Sequence, residues 1–310
     1  MEAASLVFND GGGVYDLSFS VKPGSILGLI GPSGCGKTTT IRLLTGIYRP
    51  TAGIVRVFGK NPAEFLDSDK VRIGYVPQHF IMYQNLSVEE NLHFMGGMYG
   101  TLPGNHTQKM EELLEFFDLH RARRRLGKHL SGGMQRRLML AGALLHNPEL
   151  VFADEPTGGI DPILRERVWQ HFRKLRDHVC SLLVTTQYVG EAAYCDKVAV
   201  MRNGKLIDLD TPDALRRKAM GGDIIRLKVK SRQVFKVMDF LNNLKPVKRV
   251  EQVKGEKEGI FVLVKNSGKE IPGLLAALHE HLGITPKAVE PYSPPFDEVF
   301  VRLMEHSEVT

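Results

Sequence analysis

Several features are missing from this sequence. No stretch approaches the ~18 consecutive apolar residues that a membrane-spanning helix needs. The opening MEAASLVFNDGGG has no basic region followed by an apolar core, so no signal peptide is expected. Cysteine is scarce, with 3 in 310 residues, at positions 35, 180 and 195. Their spacing fits no metal-ligand motif, and so few thiols build no disulfide framework, which points to a reducing cytosol. There is no internal repeat and no sustained heptad. The densest basic run, Arg121, Arg123, Arg124, Arg125 and nearby Lys128, has no interleaved aromatics, so no nucleic-acid partner is expected. What remains is ordinary globular composition, 43% hydrophobic and 25% charged, with a formal charge of +6. That charge suits a mixed solvated surface or contact with an anionic one. The length allows one large domain and a smaller one.

One stretch organises the rest. GPSGCGKTT, residues 31–39, fits the phosphate-loop pattern G-x-x-x-x-G-K-S/T through Gly31, Gly36, Lys37 and Thr38. The apolar SILGLI before it reads as a buried strand, and KTTTIRLLTG after it has helical spacing with a Gly46 stop. That is the context the motif requires. Gly31, Pro32, Ser33, Gly34, Cys35, Gly36, Lys37, Thr38 and Thr39 are therefore read as a cradle whose backbone N–H groups and helix N-terminus hold an anion. Lys37 supplies a point charge for β- and γ-phosphates, and the Thr38 hydroxyl can ligate magnesium. Cys35, among small neighbours at a helix N-terminus, is expected to react with alkylating agents.

The other segments read in order. SLVF and VYDLSFSV are extended and split by Gly11–Gly13; Phe8, which ends the first, can stack on a nucleobase or pack in a core. TAGIVRVFG (51–59) and VRIGYVPQ (71–78) read as strands, the second ending in Gln78. Residues 87–146 form a helical insertion, opened by a Ser87/Glu90 capping box. LSGGMQ places Ser131, Gly132 and Gly133 at a helix N-terminus, a second potential anion site. ELVFADE is a buried strand ending in Asp154, near a magnesium shell, and Glu155, placed to polarise a water. PTGGIDP carries Asp161, and SLLVTTQ ends in Gln187. KVAVMRNGKLID is a hairpin around Asn203-Gly204. From 221 the order βαββαβ suggests a small ferredoxin-like α+β domain, closed by an amphipathic helix with Phe296, Val299, Phe300 and Leu303 on one face.

Taken in order, GPSGCGKTT, Gln78, LSGGMQ, LVFADE, GGIDP and the polar residue after VTT resemble the ATP-binding subunit of an ABC transporter over about residues 5–220. The tail ending in PPFDEVFVRLM resembles that of ATPases in the ABC-2 type exporter group, including those for daunorubicin-like drugs. The resemblance implies an α/β P-loop NTPase fold with a helical subdomain and an antiparallel β subdomain at 1–220, and an accessory domain at 221–310. It implies ATP and Mg2+ as ligands, with Thr38, Gln78 and Asp154 around the metal. Lys37, Glu155 and Gln187 would carry catalysis, and Phe8 would stack on adenine. Ser131, Gly132 and Gly133 would bind the γ-phosphate of ATP held by a second copy of the chain, and Asp161 would lie at that nucleotide-binding dimer interface. The partners implied are that second copy, in an ATP-dependent homodimer, and a separate transmembrane permease. The location implied is the cytoplasmic face of the cell membrane. Most of the family has histidine at position 187. Glutamine there donates a neutral hydrogen bond and does not titrate, which leaves a weakly hydrolysing or non-transport ATP-binding module as the alternative.

Overall fold

The computed structural model describes residues 1–100 and 103–306, and the chain divides into two compact units after Thr211. The first unit opens with β1 (Glu2–Val7) and β2 (Gly13–Leu17), an antiparallel pair. β3 (Ile26–Ile30) is buried at every position and runs through the 31–36 loop into α1 (Lys37–Leu44). β4 (Ala52–Ile54) pairs with β1, giving a three-stranded antiparallel sheet of order β2-β1-β4. This strand is shorter than TAGIVRVFG suggests. Phe58 and Gly59 take left-handed φ values of 52° and 77°. They fold Val57–Lys60 into a turn closed by two backbone bonds of 2.9 and 3.0 Å, while Val55 and Val57 enter the core.

A short α2 (Asp67–Lys70) precedes β5 (Ile73–Val76). Then come α3 (Val88–Met98), α4 (Pro103–Phe116) and α5 (Gly132–Leu144). The box opening α3 forms as expected: Glu90 N donates to Ser87 Oγ at 3.2 Å, and Ser87 N donates to Glu90 Oε2 at 2.7 Å,. After these helices lie β6 (Leu150–Asp154), α6 (Pro162–Asp177), β7 (Ser181–Thr186), β8 (Lys197–Arg202) and β9 (Lys205–Asp210). The main sheet has order β5-β6-β7-β3-β8-β9. All neighbours are parallel except the last pair. Asn203 and Gly204, both at positive φ, make the tight turn between β8 and β9,. Because β3, β5, β6 and β7 run parallel in register, the residues leaving their carboxyl ends collect on one edge, where open α/β sheets bind ligands.

The second unit comprises α7 (Pro212–Met220), β10 (Asp223–Lys228), α8 (Val234–Asn242), β11 (Val247–Gln252), β12 (Gly259–Val264), α9 (Ser267–Leu282), β13 (Ala288–Tyr292) and α10 (Phe296–His306). Its sheet has order β11-β12-β10-β13, antiparallel throughout. One sheet face, with Ile225, Leu227, Ile260, Val262 and Val264, shares a core with Val237, Leu241, Leu274 and Leu278 of α8 and α9. The unit begins at Pro212 rather than after residue 220 because α7 packs on α10, with the Arg216 guanidinium 5.7 Å from the Phe296 ring centre. On α10 Phe296, Val299 and Leu303 are buried and Phe300 partly so.

Candidate functional site

The 31–36 loop is built by backbone constraint. Gly36 has φ 103°, and a Cβ on it would stand 2.5 Å from Val14 Cγ1. Only glycine lets the loop turn left-handed and pass this close to the start of β2. Gly36 also serves as the N-cap of α1 with no side-chain cap, so the first amides of the helix face out of its end,. Lys37 follows, 5% exposed. Its Nζ donates to Gly31 O at 2.9 Å and Pro32 O at 3.1 Å, and lies 4.0 Å from Glu155 Oε1. Pro32, Ser33 and Gly34 are exposed around it, and Thr38 and Thr39 are half-buried at the start of the helix.

Three strand ends, those of β5, β6 and β7, meet around this lysine. Asp154 closes β6 and is fully buried. Its Oδ1 accepts from the Thr185 hydroxyl, and its Oδ2 is buried without a partner. Glu155 takes the left-handed region at φ 50°, an uncommon conformation for a side-chain-bearing residue. Its N–H donates to Thr185 Oγ1 at 3.0 Å, which fixes the turn. Its Oε2 accepts from Gln78 Nε2 at 3.4 Å. Gln187 follows β7 directly and is exposed. The structure thus brings Lys37, Gln78, Asp154 and Glu155 to one place.

Two residues of this arrangement went unread in the sequence. Thr185 holds both Asp154 and the Glu155 backbone; the only signal was a hydroxyl pair at the end of an apolar strand. Arg136, near the start of α5, donates to Pro77 O and Gln78 O, both at 2.7 Å. It is 9% exposed. Burial pushes its pKa below the ordinary guanidinium value, and the Glu155 and Asp154 carboxylates oppose that shift,. An arginine inside an apolar helix was the available hint.

The remaining candidates lie outside the cluster. Phe8 sits on the turn after β1 with its ring exposed, edge-on to Tyr48 at 5.7 Å. Ser131 is the N-cap of α5, its Oγ accepting from Met134 N at 3.4 Å. Gly132 and Gly133 follow in the first turn, and a Cβ on Gly133 would lie 3.3 Å from Gly159 O. Asp161 caps α6, its Oδ1 accepting from Leu164 N at 3.0 Å. Both caps are exposed. Cys35 is corrected: its side chain is 3% exposed beneath the loop. Burial raises the thiol pKa, and the lowering effect of Lys37 is smaller. The expected ready alkylation does not follow.

A glycine-turned loop, a buried lysine in its throat and a carboxylate pair facing it define a P-loop nucleotide-binding domain,. A family model described as ABC transporter matches residues 14–158. The chain is 33% identical over 304 residues to the daunorubicin resistance ATP-binding protein DrrA3 of Streptomyces coeruleorubidus, covering 98% of this chain and 94% of that protein. It is 37% identical over 212 residues to the probable multidrug ABC transporter ATP-binding protein YbhF of Escherichia coli, covering 68% of this chain and 37% of that longer protein. The dimeric structure of MJ0796, a bacterial ABC transporter cassette, superposes with a TM-score of 0.63 at 25% identity, covering 68% of this chain and 97% of that one. The chain belongs to the family of ABC transporter ATP-binding proteins.

Proposed function

We propose that this protein hydrolyses ATP to power an ABC-2 type exporter whose membrane-spanning part is a separate chain. The observation that carries the reading is the convergence of Lys37 on Glu155 at 4.0 Å with Gln78 bonded to the same carboxylate. A positive group for the phosphates and a base for water stand together at a helix N-terminus. In this reading Lys37 binds the β- and γ-phosphates, Phe8 stacks on adenine, and Glu155 orients a water and takes its proton. Gln187 donates to the γ-phosphate.

The unpaired, buried Asp154 Oδ2, with the Thr38 hydroxyl and the Gln78 amide oxygen, are hard oxygen donors of the kind magnesium takes,. Bound Mg2+ would neutralise charge developing between the phosphates.

The exposed helix caps at Ser131–Gly133 and Asp161 are free to meet ATP on a second copy, and the similar MJ0796 cassette is dimeric. Ile81, Tyr83, Phe94 and Met98 are exposed between the Gln78 segment and α3, with Tyr83 and Phe94 ring centres 4.7 Å apart. Such an apolar patch suits a permease segment. The names of DrrA3, a daunorubicin resistance protein, and YbhF, a probable multidrug transporter protein, support drug transport; in this reading the chain works at the cytoplasmic face of the membrane. No helix among the described residues is long and apolar enough to cross a membrane. The βαββαβ order and antiparallel sheet of the second unit support a ferredoxin-like accessory domain at its C-terminal end.

Gln187 favours a second reading, an ATP-binding module with weak turnover. Phosphate release by the purified protein with Mg-ATP separates them. Sustained turnover abolished by Lys37→Ala supports the ATPase; ATP binding without turnover supports the module.

A further inference from the structure

We propose that Glu191 is a positioning residue for turnover, its buried carboxylate clamping the loop after Glu155 to the turn that carries Gln187. The inference rests on the hydrolysis reading above and adds a group that the motif pattern does not mark. Glu191 is 3% exposed and Thr157 fully buried. The Thr157 hydroxyl donates to Glu191 Oε1 at 2.7 Å. Arg165 Nε lies 3.6 Å from the same oxygen, and its guanidinium covers the Tyr188 ring at 4.0 Å. Glu191 Oε2 and Arg165 Nε are buried with no hydrogen-bond partner.

A buried carboxylate is expensive unless paired. This one is held by one short bond and one ion pair, and each partner belongs to a different segment. Thr157 lies in the loop between Glu155 and Asp161. Arg165 lies in the first turn of the helix that Asp161 caps. Tyr188 and Glu191 follow Gln187, in a stretch fixed by Tyr188 N donating to Thr186 Oγ1 at 3.0 Å and Glu191 N donating to Tyr188 O at 2.9 Å. The Thr157–Glu191 bond therefore adds, to the β6–β7 pairing that already holds Glu155, a second tie between the loop running from Glu155 to Asp161 and the turn that carries Gln187. Groups acting together on one phosphate lose rate quickly when their spacing loosens.

The test uses the full chain. Thr157→Val removes the donor at nearly constant volume, and Thr157→Ser restores it. Thr157→Val is expected to lower kcat about tenfold while the KM for ATP stays within about threefold, with Thr157→Ser close to wild type. Glu191→Ala should cost as much, and the double variant no more than either single one. Hydrogen exchange, which needs no turnover, should quicken in Thr157→Val at 158–161 and 187–191 together. Faster exchange at 158–161 alone, or across the whole main sheet with kcat and Tm falling in parallel, overturns the clamp. So does a wild-type kcat in Thr157→Val. Failure of the wild type to release phosphate would instead sink the hydrolysis reading, and the exchange measurement would still decide the clamp.

Discussion

The two edges of the six-stranded sheet are made from the same strands and have opposite characters. At the amino edge, charges are paired and wet. Arg72 forks onto Glu149 at 2.8 and 2.7 Å, its guanidinium stacked 3.8 Å from the Phe58 ring centre. Asp196 accepts from Ile26 N and Arg176, both at 2.8 Å. Beside them is a cavity of about 620 Å³ with apolar walls that include Phe19, Val57, Phe152 and Leu183. At the carboxyl edge, Lys37, Asp154, Thr157 and Glu191 are buried. Among the described residues, Asp154 Oδ2 and Glu191 Oε2 are the buried carboxylate oxygens left without a partner. Satisfied charge at one edge serves stability; unsatisfied charge at the other is kept for a ligand or for geometry.

The sharpest way to break this contrast is Glu155→Gln. The amide keeps the shape and removes the proposed base, so kcat should fall about a thousandfold while ATP still binds. ATP-bound dimers should then accumulate on size-exclusion chromatography. Turnover at the wild-type rate would leave the carboxyl edge with no chemical distinction.

Acid should strike the amino edge next. His146 stacks on Tyr99 at 3.7 Å, and one ring nitrogen, Nε2, is 3.1 Å from Ile73 O at the start of β5. Burial holds its pKa down at about 4. The folded state therefore favours the neutral ring. Its contribution is complete above the unfolded value of about 6.5 and is lost as pH falls from there toward 4. Between pH 7 and 5 stability should drop by roughly 2 kcal/mol from this group. Urea melts of wild type and His146→Gln read it, and the variant should show a shallower pH dependence.

If Gln187 is the proposed neutral donor to the transferring group, Gln187→Ala should lower kcat about tenfold with little change in ATP affinity. Gln187→His should add a titration step between pH 5 and 8 that the wild type lacks. Superimposable pH profiles for the three proteins would remove Gln187 from the site.

The smallest effect belongs to Arg72→Ala. Hydrogen bonding to Arg72 holds the Glu149 carboxyl below its usual range, but the two side chains are 36% and 58% exposed. The variant should lose no more than ~1 kcal/mol and keep wild-type turnover, as expected of an edge that only stabilises.

Legibility followed the same division. Gly31, Gly36, Lys37, Asp154 and Glu155 could be read because each answers to a local rule, a loop pattern or the end of an apolar strand. Arg136, Thr185 and Glu191 act on partners 30 to 59 residues away, and nothing in local spacing announces such bonds. Cys35 was misread because its neighbours in sequence are small, whereas its environment is set by residues packed under the loop from elsewhere in the chain. The short β4 went unforeseen because a left-handed Phe58 is rare.

The fate of Cys35 has a practical side. All three cysteines are buried. Burial raises the pKa of each thiol, that of Cys180 to about 11. Thiolate is what maleimide and nitroxide reagents capture, so the native chain is already a quiet background for labelling. A single cysteine placed at exposed Gln170 on α6 would take up a spin label by itself. Pulsed resonance distances between two copies could then be followed through a nucleotide cycle without removing a native residue.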